Sequence, residues 1–373
     1  MVERTQSFRE SGRMQRIVMI APHFPEYSYL LSRALSEQSD IRLMIDQAAL
    51  ISEYEGRSRP VAPRVEVQQT NLVSIRDLWT LLIGIIRFRP TVIHWQEPSG
   101  FRKAVLAAIV VTLARPFAVL ALTIHDPVPH MGGDDAIARR LAPLRRYTRR
   151  SVHHIFVHGL SCREQYLEEY LPAPHRDDRV HLTEHGIILA GEKISSPTGP
   201  FSMLMFGRME AYKGLEVLCD AMEIFLREGG EGTLHIAGAG PELDRLEGRF
   251  RSLPSVDVTN RFLPAAEIID KMGACDGLVL PYLSATQSGV LSAAFANGRF
   301  VVASRVGGIV DVVQDGVNGL LVEPNDAGSL ARALSRLSGD PGLRERLRAG
   351  ALETARARLD WSKIAAKMIA EYQ

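Results

Sequence analysis

Strand-length apolar runs alternate with helix-length segments twice over in this chain of 373 residues, and one Gly/Ser/Pro-rich stretch separates the two series. "RIVMIAP" (16–22), "IRLMID" (41–46), "TVIHWQE" (91–97), "FAVLALTIHD" (117–126), "HIFVHG" (154–159) and "VHLTEHG" (180–186) are strand-like, with helical spacing between several of them, as at Leu30, Leu31, Ala34 and Leu35. "ILAGEKISSPTGP" (188–200) breaks the rhythm, and a second series runs from "FSMLMFGR" to "FVVAS" (201–304) before a helix-rich end. A strand that must return in the same direction needs a crossover, so this alternation specifies parallel sheets covered by helices on both faces. The expected architecture is α/β: two doubly wound Rossmann-like domains, 1–188 and 201–356, joined by a linker at 189–200, with a cleft between their carboxyl strand edges.

Composition narrows the function classes. Lys+Arg number 44 and Asp+Glu 43, so no overall field selects nucleic acid or a membrane as partner. Cys162, Cys219 and Cys275 are too few and too scattered for a disulfide framework or a metal cluster, and argue for a reducing, cytoplasmic setting. The first dozen residues are polar and do not resemble a secretory signal. "AVLAAIVVTLARPFAVLALTI" (104–124) is split by Arg115-Pro116 into the lengths of a buried helix and a buried strand, not a membrane span.

Four segments carry chemistry. In "FGRMEAYKGLEVL" (206–218), Arg208 and Lys213 flank the turn between a strand ending at Gly207 and a helix. Two cations beside a helix amino terminus suit a diphosphate, although paired surface cations are also an ordinary loop feature. "TQSGVLSAAFANG" (286–298) sets Gln287, Ser288, Gly289 and Val290 at the start of a small-residue helix, where Ser288 is equally a simple cap. "TIHDPVPH" (123–130) puts His125, Asp126 and His130 past a strand end, where open sheets bind ligands. The histidines, including His94 and His158, lack the carboxylate or thiol spacing of a metal site. In "ARRLAPLRRYTRR" (138–150), arginines share a helix with Leu141, Leu144 and Tyr147, a pattern fitting an anionic membrane surface or a solvated face.

Taken together, "GRMEAYKG", "LHIAGAGPELDRL", "RFLPAAEI", "ACDGLVLPY" and "ANGRFVVASRVGGIVDVVQDGVNGLLVEPNDAGSLARAL" resemble the retaining glycosyltransferases of family 4, whose fold is GT-B. The first half resembles them in layout, in "TIHD" and in "EHGI", and "WSKIAAKMIAEY" (361–372) looks like their last helix, which crosses back to the first domain within 357–373. The resemblance implies transfer of a sugar from a nucleoside diphosphate to an acceptor hydroxyl with retention, in bacterial surface polysaccharide or glycolipid synthesis. It implies that Arg208 and Lys213 hold the diphosphate, that backbone near Phe262 meets the base, that Ser288, Gly289 and Val290 offer N–H groups, and that His125 contacts the donor sugar. No cofactor and no metal are implied. The partners would be the donor, a glycan or lipid-linked acceptor and, through residues 138–150, an anionic membrane surface, giving a cytoplasmic protein peripheral on the inner face of the plasma membrane.

This chain departs from the family pattern at two places. The family's two glutamates, eight positions apart, align with Ala285 and Ala293, which removes hydrogen bonds to the sugar and the ribose worth about 1.5–3 kcal/mol each. Gln287 is the expected substitute. The first loop, "APHFPEYSY", lacks paired glycines and offers Tyr27 and Tyr29 as rings for an acceptor sugar. The alternatives are a catalytically inactive partner protein and a nucleotide-sugar epimerase, the latter disfavoured by the missing carboxylates.

Overall fold

The computed structural model describes residues 14–70, 74–98, 100–127, 135–170, 177–194 and 196–372. Strands β1 (Gln15–Ala21), β2 (Ser39–Ile45), β3 (Val65–Gln69), β4 (Val92–Gln96), β5 (Val119–Ile124), β6 (His154–His158) and β7 (Val180–Thr183) form one parallel sheet in the order β3-β2-β1-β4-β5-β6-β7. Strands β8 (Ser202–Arg208), β9 (Thr233–Ala239), β10 (Val256–Asn260), β11 (Gly277–Leu280), β12 (Phe300–Ser304) and β13 (Gly319–Val322) form a second, ordered β10-β9-β8-β11-β12-β13. The strand order reverses between β1 and β4 and again between β8 and β11, and such switch points open a crevice at the carboxyl ends of the strands. This is the expected GT-B arrangement of two parallel sheets with helices on their faces.

Side chains of a strand alternate between faces, and β1 shows the result. Ile17 and Met19 pack with Leu31 and Leu35 of the helix Pro25–Leu35 and with Ile364 and Met368 of the last helix, Trp361–Glu371. Val18 and Ile20 lie in the opposite cluster, with Leu81 and Phe88 of the helix Ile75–Phe88 and Leu106 and Val110 of the helix Phe101–Ala114. A run apolar on both sides is what burial between two helix layers demands.

The pattern missed β3, β13 and the helix Gln47–Glu53. "VEVQQ" is an edge strand with half-exposed faces, so its alternation is weak, and "GLLV" is too short to be told from loop without its partner β12.

The chain crosses between the sheets twice, and the two crossings touch. Ile187 on the way out donates its N–H to the Leu359 carbonyl at 3.2 Å, and the Trp361 indole on the way back donates to the Ile187 carbonyl at 2.7 Å.

Candidate active site between the two sheets

On the second sheet, the last two residues of β8 are Gly207 and Arg208, and Gly207 has a φ of 119° that suits glycine and a Cα side that faces Val290. Arg208 closes the strand, exposed and with no ion pair among the described residues. A one-turn helix, Ala211–Lys213, then leads into Gly214, where a Cβ would lie 1.9 Å from the Pro281 carbonyl oxygen. The end of β8 and the end of β11 are thus pressed together at the switch point. Lys213 is only 7% exposed; its Nζ donates to the Tyr282 hydroxyl at 2.7 Å and sits 4.0 Å from that ring's centre. Burial, with the nearby Arg208 acting in the same direction, pulls its pKa down to about 8. Burial raises the pKa of the Tyr282 hydroxyl, with Ser288 acting in the opposite direction, and the Ser288 Oγ accepts the Leu291 N–H at 3.2 Å and caps the helix Gly289–Ala296. Lys213 and that helix start thus both lie beside Tyr282.

The segment just before this helix is pinned from the other side. A Cβ on Gly307 would lie 1.6 Å from the Ala285 carbonyl oxygen, and one on Gly308 would lie 2.1 Å from that of Thr286. Ala285 is buried, and Ala293 is fully buried in the core cluster that also holds Leu278, Leu291, Phe295 and Ala303. Gln287 lines a narrow pocket with His158, His185 and Ser292, and its buried Oε1 has no hydrogen-bond partner among the described residues.

The first sheet contributes histidines. His125 follows β5, with Nε2 2.9 Å from Gln96 Oε1 and Nδ1 3.2 Å from His158 Nε2. The amide oxygen accepts, so His125 carries its proton on Nε2, and His158 donates to Nδ1. Both ring nitrogens are thereby engaged inside the protein. His185 Nδ1 lies 3.3 Å from Ser292 Oγ on the opposite sheet's helix. Burial lowers all three: His125 and His158 fall well below the usual imidazole value, and His185 falls to about 4. Phe24, a bulky residue at φ 55°, lies over His125 with ring centres 4.3 Å apart.

Other contacts clamp the cleft. Thr286 donates its hydroxyl to Asp126. Cys162 donates to the Thr286 carbonyl at 3.1 Å. Asp311, beside Gly159, accepts the Ser161 N–H at 3.0 Å. Arg358 bonds Glu184 at 2.6 Å and the Asp311 carbonyl at 2.9 Å.

The structure brings Gly207, Lys213, Gln287, Ser288, Gly289 and Val290 to one side of the cleft and His125 and Asp126 to the other. Tyr27 and Tyr29 present no free ring: Tyr27 is buried among His125, His158, His185 and Trp361, and the Tyr29 hydroxyl donates to the Pro60 carbonyl at 2.6 Å. They face inward because the helix after β1 must cover Ile17 and Met19. Phe262 stands exposed on the loop after β10. His130 lies outside the described residues. In the helix Asp135–Ser151, Leu141 is buried, Leu144 half-buried and Tyr147 exposed, so the apolar side is only partly covered by the protein. Sequence reasoning missed Gln96, Tyr282, His185 and Asp311 as site residues; only the position of Gln96 at a strand end and of His185 in "EHGI" signalled them.

Residues 200–340 match the family model described as "Glycosyl transferases group 1", a span holding every second-sheet residue named above. Arg358 lies beyond that span. A D-inositol 3-phosphate glycosyltransferase of Xylanimonas cellulosilytica is 34% identical over 219 residues, covering 52% of this chain and 51% of that protein. The chain thus spans about half the length of the curated relatives it matches. HepE of Anabaena, solved with UDP and glucose, superposes with a TM-score of 0.70 at 17% identity, covering 95% of this chain and 98% of that one. Sucrose-phosphate synthase of Thermosynechococcus elongatus gives 0.74 at 18%, covering 96% and 98%. Residues 200–340 of this chain therefore resemble the group 1 glycosyltransferases, and the whole chain has the GT-B fold.

Proposed function

We propose that this chain is a retaining glycosyltransferase that moves a sugar from a nucleoside diphosphate sugar to the hydroxyl of a glycan or lipid-linked acceptor, in bacterial surface polysaccharide or glycolipid synthesis. Two domains, 1–188 and 201–356, would close on the donor, with 189–200 and 357–373 joining them. The observation that carries this reading is Lys213, buried with its Nζ on the Tyr282 hydroxyl, beside Arg208 at the β8/β11 switch point and inside the group 1 match. Two cations near a helix start support a site that would hold a diphosphate as the glycosidic bond lengthens.

No protein nucleophile is needed. The bond between the anomeric carbon and the diphosphate oxygen breaks, that oxygen takes the acceptor's proton, and the acceptor oxygen bonds to the same face of the sugar. Arg208 and Lys213 offset the charge that develops on the leaving group. Gln287, with its unpartnered oxygen, would accept hydrogen bonds from sugar hydroxyls in place of the glutamates aligned with Ala285 and Ala293. His125 reaches the sugar only by exchanging its Gln96 partner, so the loop bearing Phe24 would move on binding. Backbone near Phe262 would meet the base. The arginines of residues 138–150 would face an anionic membrane surface at a peripheral site.

The cleft carboxylates disfavour epimerase chemistry, since Asp126, Glu184 and Asp311 are each used as clamps. An inactive partner protein is the second reading, favoured by the two buried alanines. Calorimetry with a panel of nucleoside diphosphate sugars, wild type against Arg208→Ala/Lys213→Ala, followed by release of nucleoside diphosphate on acceptor extracts, separates the two. No binding by any donor sinks the transferase, and binding without turnover selects the inactive partner.

A further inference from the structure

We propose that the helical face built by Ile75–Phe88, Phe101–Ala114 and Asp135–Ser151 docks on an anionic bilayer, with Trp79, Ile83 and Ile86 entering the headgroup layer. This builds on residues 138–150 as the membrane-facing segment but moves insertion to another helix, and it concerns a surface, so it stands or falls separately from sugar transfer.

The helix Ile75–Phe88 has two apolar sides. Leu81 and Phe88 are buried in the cluster under β1 and β4, with Leu78, Leu82 and Ile85 packed beside them. That side satisfies the protein. Trp79, Ile83 and Ile86 form a second stripe at i, i+4 and i+7, exposed by 61%, 45% and 70%. The helix Phe101–Ala114, which covers the same core cluster, adds exposed Phe101 and Leu113, with exposed Phe117 just beyond it. Large apolar side chains concentrated on one outer face mark a contact surface.

Charge selects the occupant. Arg76, Arg87 and Arg89 are exposed at the ends of the first helix. Arg102 and Arg115 are exposed at the ends of the second, and Arg140, Arg146 and Arg150 along the third. None of these has an ion pair among the described residues, and the acidic side chain described on these helices is Asp77, held in a capping box with Ser74. On the helix Pro241–Arg251, by contrast, Arg245 pairs with Glu216 and Glu242, and Arg249 with Asp220 and Glu223. Arginines left without acidic partners, with apolar side chains scattered between them, complement a fluid anionic interface better than the fixed shape of a protein partner. The face also adjoins the cleft. Phe101 follows the carboxyl end of β4, and Lys103 Nζ donates to the Pro22 carbonyl, in the loop after β1, at 2.9 Å. A bilayer held there presents a lipid-linked hydroxyl to the cleft mouth.

Sedimentation of the full chain with phosphatidylcholine vesicles, with and without phosphatidylglycerol, tests the proposal. Trp79 is the exposed one of the three tryptophans, Trp95 being buried and Trp361 half-buried, so emission reports its surroundings. The expected result is salt-sensitive binding to anionic vesicles alone, with a blue shift. Trp79→Ala/Ile83→Ser weakens it about tenfold or more, while release of nucleoside diphosphate without lipid is unchanged. Absence of binding to anionic vesicles overturns the surface as a whole, residues 138–150 included. Binding indifferent to Trp79→Ala/Ile83→Ser but lost in Arg146→Glu/Arg150→Glu overturns insertion and leaves an arginine contact. Equal affinity for an RNA homopolymer without a blue shift overturns the bilayer in favour of soluble polyanions, and a lipid-free dimer abolished by the Trp79 variant assigns the face to a second copy.

Discussion

Lys213 donates to the Tyr282 hydroxyl and lies above the same ring, so a primary ammonium is held almost dry at the switch point of the second sheet. A charge kept there costs stability and is retained where binding uses it.

With a pKa of about 8 in the free protein, Lys213 is charged at pH 7 and mostly neutral at pH 9. A bound diphosphate raises that pKa, so binding should take up close to one proton at pH 9 and almost none at pH 6.5. Calorimetry in buffers of different ionisation enthalpy measures this, and equal uptake at both values would separate Lys213 from the phosphate. The folded pKa lies below the unfolded 10.5, so the destabilisation sets in as pH falls from about 10.5 to 8 and is complete below that. Lys213→Met should accordingly stabilise the fold by about 1–3 kcal/mol at pH 7 while weakening nucleoside diphosphate binding on the order of ten- to a hundredfold.

Gly307→Ala sets a Cβ against the Ala285 carbonyl at a residue with φ 42°. Urea unfolding should show a loss of about 2 kcal/mol or more. Gly316→Ala, at φ 75° with nothing nearby, carries backbone strain alone and should cost about 1 kcal/mol. Equal costs at the two positions would refute close approach as the cause.

Asp311 and Arg358 tie the sheets together across the cleft. Asp311→Ala removes the acceptor for the Ser161 N–H, and Glu184→Gln weakens the Arg358 pair. Small-angle scattering of the double variant should give a larger radius of gyration than wild type, and a nucleoside diphosphate should reduce the difference. An unchanged radius would mean that the clamps do not hold the halves together.

Acid should destabilise the protein ahead of its carboxylates. His94 is lowered to about 3 and His154 and His185 to about 4, all mainly by burial, against 6.5 when unfolded. The unfolded chain binds more protons, so stability is full above about pH 6.5 and falls as pH drops toward 4, by about 1.4 kcal/mol per histidine per pH unit at most. Urea titrations at pH 7.5, 6 and 5 should show this, with the slope reduced in His94→Phe.

The architecture was legible because burial between two helix layers writes long apolar runs, and β1, β4, β5, β8 and β12 all carry them. Weakly patterned edges such as β3 escaped for the same physical reason in reverse. Site residues that follow strand ends, such as Arg208 and His125, could be located from the chain. Their partners could not. Nothing local to Gln96 says that it fixes the proton of His125, nothing near Tyr282 says that it receives Lys213, and Tyr27 looks like a surface ring until the helix bearing it must cover Ile17.

The paired crossings at Ile187 and Leu359–Trp361 restrict how the cleft can open. A single tether lets two bodies swivel freely, whereas two adjacent strands bonded to each other define an axis. The halves should therefore move as a door on one hinge, returning Lys213 and His125 to the same relative positions at every closure. A nick in either crossing would leave both halves folded but release that axis.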